Sequence, residues 1–287
     1  MTIVLELKCG TNGFRAHPVK GKWIYSGNSR VLHLFSEDIL TANVFGVLNN
    51  LDPRAWMVSF LEHACNFSRA EFSSLYEQNN FDEFTVLLWQ DLDQPPGTLE
   101  GITQADVLIK LRNAAVLIEC KGLSSLQARV STDERKDDPK LWWDQAIRNI
   151  VRGYAYTRRH FGYRSFFFVV LSMSKKEETF SQYENWVRIK EQVERRMGKD
   201  HDLGGIFPKD SVDDICKELS RQIRWVEWSE LKEALKNCTF DEGGGYKCQS
   251  RFRDDLVNYL DFKIGLWSSL PKTSTEIRSR GGSRANS

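Results

Sequence analysis

The sequence carries almost no net charge: 40 Lys and Arg stand against 39 Asp and Glu in 287 residues, leaving +1. That balance excludes a wholly basic, histone-like binder, while a local basic face stays open. No run of about 18 apolar residues occurs, so no membrane-spanning helix is expected. The opening stretch Met1-Thr2-Ile3-Val4-Leu5-Glu6-Leu7-Lys8 places charges where a signal peptide needs its apolar core, which argues against a secretory leader. Six cysteines (Cys9, Cys65, Cys120, Cys216, Cys238 and Cys248) form no C-x-x-C pair, against both a zinc knuckle and a disulfide framework. Cys238 and Cys248 would pair only in an oxidising compartment. The five histidines (His17, His33, His63, His160 and His201) lack H-x-H and H-x-x-x-H spacing, so a zinc site is not expected. The run Gly243-Gly244-Gly245-Tyr246-Lys247 lacks the Gly-Lys-Ser/Thr ending of a Walker loop and reads as a flexible turn. No internal repeat is visible. What remains, 41% hydrophobic and 28% charged residues, predicts a soluble, reduced, cytoplasmic protein with a packed core and no membrane association.

Residues 3–34 read as short strands punctuated by Gly10, Gly13, Gly21 and Gly27. Ser36 is a favourable N-cap, and Ile39, Leu40, Val44, Phe45, Val47 and Leu48 recur at helical spacing up to Asn50. Pro53 opens a second helical segment with Trp56, Phe60 and Leu61 as its stripe. The stretch 84–89 is β-rich, and 94–97 (Gln-Pro-Pro-Gly) breaks it. Two strands, 105–111 and 114–120, flank Arg112 and Asn113 and predict a tight antiparallel hairpin. After a polar stretch from 124 to 140, a helix is expected from Leu141 to Phe161. The apolar run 165–171 then reads as a strand buried on both faces. Residues 175–222 look helical, with a break near 201–208. Residues 223–228 form a late strand, Ser229 caps a short helix, and Phe252–Phe262 is a last helix. Residues 1–270 are expected as one domain with no linker, its core at about 36–172 and additions at 175–270. Residues 271–287, lacking apolar anchors, are expected to be a disordered tail.

The chemistry concentrates on the hairpin. A two-residue connection pairs Leu111 with Ala114 and brings Asp106 opposite Glu119, with Cβ atoms about 5 Å apart. Strand alternation puts Glu119 and Lys121 on one face and Cys120 on the other. Two facing carboxylates repel unless a charge compensates them, and a hard divalent cation with oxygen ligands does so. Lys121 adds a donor able to hold a water or offset charge on a phosphate. Glu-x-Lys alone is weak, since it recurs at Glu6/Lys8, Glu134/Lys136 and Glu230/Lys232, but only Glu119/Lys121 has an Asp on a preceding paired strand. An exposed sheet face bearing a Lys–carboxylate pair gives the same pattern and stays open as the plain alternative.

Asp106, Glu119 and Lys121, together with Glu37 on the upstream helix, resemble the PD-(D/E)XK nuclease superfamily. The resemblance covers roughly residues 36–172, and Ala105 stands where the motif has Pro. It implies an α/β, restriction-endonuclease-like core in the order α-β-β-β-α-β: a mixed β-sheet flanked by helices, with C-terminal helical additions. It implies Mg²⁺ (Mn²⁺ substituting) held by Asp106 and Glu119, with Glu37 completing the site and Asp38 its weaker alternative. It further implies Lys121 positioning water, and Gln145 orienting Lys121 or that water.

Gln145, Arg148, Asn149 and Arg152 fall on one stripe of the 141–161 helix, followed by Tyr154. From Gln145 to Arg164 there are five Arg, no Lys and no acidic residue, a composition suited to phosphate oxygens. Arg148 and Arg152 are thus candidate nucleic-acid contacts, and the resemblance, whose members often carry a Gln followed by Arg or Tyr on this helix, adds Tyr154 after Gln145, with an ordinary solvated helix face as the other reading. Trp142 and Trp143 are expected to pack helix onto sheet, and Trp225 and Trp228 to pack or to stack on a base. The expected activity is metal-dependent hydrolysis of nucleic acid, and the resemblance implies DNA ahead of RNA. A catalytically silent nucleic-acid-binding subunit and a hydrolase of a small phosphate are the alternatives. The C-terminal region is a candidate surface for a homodimer or a partner protein.

Overall fold

The computed structural model of the chain describes residues 14–17, 22–25, 31–33, 37–68, 70, 83–92, 103–122, 129–130, 143–162, 165–175, 180, 185–197, 206–240 and 249–269. The glycine-punctuated N-terminal stretch pairs as a small antiparallel sheet of β1 (Phe14–His17), β2 (Lys22–Tyr25) and β3 (Val31–His33). Helix α1 (Glu37–Leu48) follows, with Glu37 and Asp38 in its first turn, where the positive end of the helix dipole favours acidic groups. Asp52 caps α2 (Pro53–Ser59) by accepting the Arg54 N–H, and the chain continues through a π-helical turn, Phe60–Ala64.

The central sheet begins with an antiparallel meander of β4 (Thr85–Leu92), β5 (Thr103–Lys110) and β6 (Ala114–Lys121). A two-residue ribbon, β7 (Arg129–Val130) with β8 (Trp143–Asp144), leads into α3 (Gln145–Phe161), and β9 (Ser165–Ser172) returns parallel to β6. Helices α4 (Trp186–Met197) and α5 (Val212–Arg221) cross over to β10 (Ile223–Glu227), parallel to β9. Helices α6 (Trp228–Lys236) and α7 (Gln249–Ser268) end the described chain. The sheet order is β10-β9-β6-β5-β4, and the fold is α/β, a five-stranded mixed sheet flanked by helices.

The apolar run on β9 is buried on both faces, as its composition predicts. Phe167, Val169 and Leu171 join a core built with α1, α2, α6 and α7, whereas Phe166, Phe168 and Val170 join a core with α3, α4 and α5. Gly153 lets α3 lie close to the sheet: a Cβ there would overlap the Leu117 side chain and crowd Phe166.

Several boundaries differ from expectation. The 141–161 helix starts at Gln145, because Trp143 and Asp144 stay extended and pair with Val130 and Arg129. Glu227, not Ser229, caps α6: its N–H is accepted by Glu230 Oε2 at 2.7 Å in a reciprocal capping box. The last helix is longer than 252–262 at both ends. The helix–three strands–helix–strand path is interrupted by α2, the π turn and the β7–β8 ribbon, and a fifth strand follows it. Trp228 is buried against Phe45, and Trp225, half-buried, packs on Phe180. Ser36, Trp142, the 243–247 turn, Cys248 and the 271–287 tail lie outside the described residues. Among those described, no helix is long and apolar enough to cross a membrane.

Candidate active site

The hairpin has the register its two-residue connection dictates. Leu111 N–H donates to Ala114 O at 2.9 Å, and Lys110 pairs with Ala115, Leu108 with Leu117 and Val107 with Ile118. At the next position, where Asp106 meets Glu119, the ladder gives way. Asp106 Oδ2 accepts the Cys120 backbone N–H at 2.8 Å, so a carboxylate occupies the acceptor position. The strand also turns over there: Val107 and Ile109 face the core under α1, while Ala105 faces the core under α3. Neighbouring β4 turns over at the same level, since Leu88 packs on the first core and Leu92 on the second. Between them Trp89 has φ of +52°, a left-handed conformation rare for a bulky residue.

Glu119 is 3% exposed and both of its oxygens are engaged. Oε1 pairs with Lys121 Nζ at 2.7 Å, and Oε2 accepts from Asn149 Nδ2 at 2.8 Å. Asn149 Oδ1 is itself buried without a hydrogen-bond partner, leaving an acceptor available beside the Glu119–Lys121 pair. Burial, followed by repulsion from Glu119, pushes the Asp106 carboxyl up to about 7, against the smaller lowering effects of the Cys120 N–H and Lys121. Burial works to lower the Lys121 ammonium, but the charge and hydrogen bond of Glu119, with Asp106 and Glu37 behind them, outweigh it and leave Lys121 raised. Lys121 therefore remains a cation at neutral pH.

The backbone beneath these groups is tied down from three sides. Lys121 O accepts from Met173 N–H at 3.1 Å and from the Trp228 indole N–H at 3.3 Å. Glu37 Oε1 accepts the Gly122 N–H at 2.7 Å, so the first turn of α1 meets the end of β6. Gly122 has no room for a side chain because Trp267 of α7 lies against it. The site thus sits at the carboxyl end of β6, with β9 and β10 parallel beside it, the end of an open α/β sheet where ligands commonly bind.

The structure brings together Glu37, Asp106, Glu119 and Lys121, with the charge of Asp38 also felt at Asp106. Gln145 is the first residue of α3, and its side chain lies outside the described residues. Arg148 is half-buried one turn above it. Arg152 and Tyr154 do not stand on an open face: Arg152 is 4% exposed, and Tyr154 is packed between Phe166 and Phe207. Their expected role as substrate contacts meets the core side of α3 instead. The contact that spacing did not reveal is Asn149 to Glu119. Asn149 belongs to the recognised polar stripe, four residues after Gln145, but its partner depends on how closely α3 approaches the sheet.

Among the described residues, no cluster of three or more His, Cys, Asp and Glu is arranged to hold a metal ion. Two carboxylates nevertheless suit Mg²⁺, which keeps several waters and takes one or two carboxylates plus substrate phosphate oxygens. Burial is the larger cause of the raised Asp106 and repulsion from Glu119 the second, and a cation between the two carboxylates would relieve that second part. No family model, curated protein or solved structure matches the chain.

Proposed function

We propose that the protein is a divalent-metal-dependent nuclease of the PD-(D/E)XK type that hydrolyses phosphodiester bonds, with DNA as its expected substrate. The observation that carries this reading is the cluster of buried Glu119 with half-buried Asp106 and Lys121 at one hairpin end, where an acidic pair meets a paired ammonium. Asp106 and Glu119 would hold Mg²⁺ or Mn²⁺, with Glu37 beside them. A bound cation supplies charge neutralisation and Lewis acidity toward a phosphoryl oxygen. Lys121, being an ammonium, donates: it hydrogen-bonds the attacking water or a phosphate oxygen and offsets charge developing there. It is not a general base while it is paired with Glu119. Asn149 fixes the rotation of the Glu119 carboxylate, as a hydrogen-bond partner of a metal-binding group does. Arg148 and Gln145, on the first turns of α3, are the phosphate-holding and water-orienting groups in this reading.

The test is cleavage of plasmid, linear duplex, single-stranded DNA and RNA by purified protein in Mg²⁺ or Mn²⁺ against EDTA. Asp106→Asn and Lys121→Ala are run beside it, with melting temperatures measured in parallel. Metal-dependent cutting, lost in both variants while they remain folded, is the expected result. Salt-sensitive binding without any cutting would favour a silent nucleic-acid-binding subunit. Absence of both would move the reading to a small phosphate substrate.

A further inference from the structure

Trp89 combines three properties at the place where β4 and β5 change faces together. Its backbone is left-handed in the middle of a strand, a conformation that Gly or Asn would adopt far more readily. The residue is 39% exposed, one of three large hydrophobic residues exposed among those described. It also lies on β4, the end strand of the sheet, flanked by the pairs Leu88–Val107 and Gln90–Ala105, which sets it across the ladder from Asp106. Neighbouring strands run about 4.8 Å apart, so the Trp89 backbone stands one strand from Asp106 and two strands from Glu119 and Lys121, on the side away from β9.

Resting on the nuclease reading above, we infer that Trp89 is a stacking platform for an unpaired nucleobase next to the scissile phosphate. The substrate class is then DNA carrying an unstacked base at the cut: a single strand, a flap or a distorted junction. An exposed flat ring on the strand next to Asp106 is near enough to the phosphate-cleaving groups to meet a base adjoining the phosphate they cut. A paired duplex keeps its bases stacked inside and offers the ring nothing. Stacking on an aromatic ring tolerates every base, so Trp89 confers preference for strand structure rather than for sequence.

The test uses the full chain with Trp89→Ala, Trp89→Phe and Trp89→Gly, assayed on single-stranded, flapped and fully paired oligonucleotides. Stacking energies imply a rise in KM of roughly tenfold or more for Trp89→Ala on unpaired substrates. The expected pattern adds little change in kcat, near-complete retention in Trp89→Phe and no change on paired duplex. 2-Aminopurine placed beside the cleaved bond is expected to be quenched on binding wild type and Trp89→Phe, and not Trp89→Ala. Trp89→Gly, which relaxes the backbone, is expected to melt no lower than wild type while sharing the KM defect. A Trp89→Ala protein that handles unpaired DNA as wild type does overturns the inference alone. So does a defect equal on all substrates that follows a fall in melting temperature. Wild type that neither binds nor cuts DNA removes the nuclease reading, and this inference with it.

Discussion

Asp106 is held where its charge is least welcome: burial and Glu119 push its carboxyl up to about 7, from an ordinary 3.8. A folded-state value above the unfolded one means that the folded protein retains a proton which the unfolded chain has lost. Stability therefore falls as pH rises from about 4 toward 7 and stays low above it. Asp106→Asn keeps an acceptor for the Cys120 N–H and removes the charge. It is expected to melt higher than wild type at pH 8, by about 2–4 °C for each kcal/mol relieved, and to match it near pH 4, while cutting nothing. Differential scanning calorimetry across that range checks the sign. Added Mg²⁺ is expected to raise the melting temperature of wild type at pH 8 and leave Asp106→Asn unmoved.

The cation beside it behaves oppositely. Lys121→Ala strands the buried Glu119 carboxylate, at about 3–5 kcal/mol when one partner of a buried pair is removed. The double variant Lys121→Ala/Glu119→Gln is expected to recover much of that in urea unfolding, without recovering activity. Asn149→Ala is expected to lower cleavage about 10–100-fold, the usual loss when a ligand's hydrogen-bond partner goes. Single-turnover rates are the readout.

Among the elements, the hairpin was the most legible. A two-residue connection leaves little freedom of register, and the alternation on β6 then assigns Glu119 and Cys120 to opposite faces. The β9 strand was equally plain, because six consecutive apolar residues, Phe166 to Leu171, require cover on both sides. The approach of α3 to the sheet was not legible, since it depends on Gly153 lying against Leu117 rather than on any local pattern. Trp89 was hidden for the opposite reason: an aromatic in a β-rich run looks ordinary, and its left-handed backbone follows from the simultaneous face reversal of two strands. Two glycines make the helical contrast measurable. Gly46 on α1 has open space where a Cβ would go, so Gly46→Ala is expected to stabilise by about 0.5–1 kcal/mol from helix propensity. Gly153→Ala gains the same propensity but must displace Leu117, and is expected to destabilise by about 1–3 kcal/mol net and to weaken cleavage through Asn149. Paired denaturation curves decide both.

At the scale of the whole molecule, the C-terminal helix belongs to the site although it is remote in sequence. Trp267 covers Gly122, and Tyr259 accepts a hydrogen bond from Asn43 of α1 at 3.0 Å, so α7 braces both the end of β6 and the helix that carries Glu37. That role had no sequence signature, because the residues that resemble a nuclease motif all precede residue 175. Trp267→Ala is expected to cost about 3–5 kcal/mol as a truncated buried aromatic. Its loss of cleavage is expected to exceed the unfolded fraction, since the backbone after Lys121 is released. Far-ultraviolet circular dichroism beside the cleavage assay separates the two effects.

Among the described residues, Cys65, Cys120, Cys216 and Cys238 are all buried free thiols whose pKa values burial raises, that of Cys216 to about 12. A buried, protonated thiol does not alkylate, so each of these positions is silent to a maleimide until its surroundings open. Cys120 lies between Glu119 and Lys121 in the chain. Its alkylation rate, read by peptide mass mapping, is therefore a built-in clock for the opening of that one strand. Slowing of that clock by Mg²⁺ or DNA would report occupancy of the site without any bond being cut.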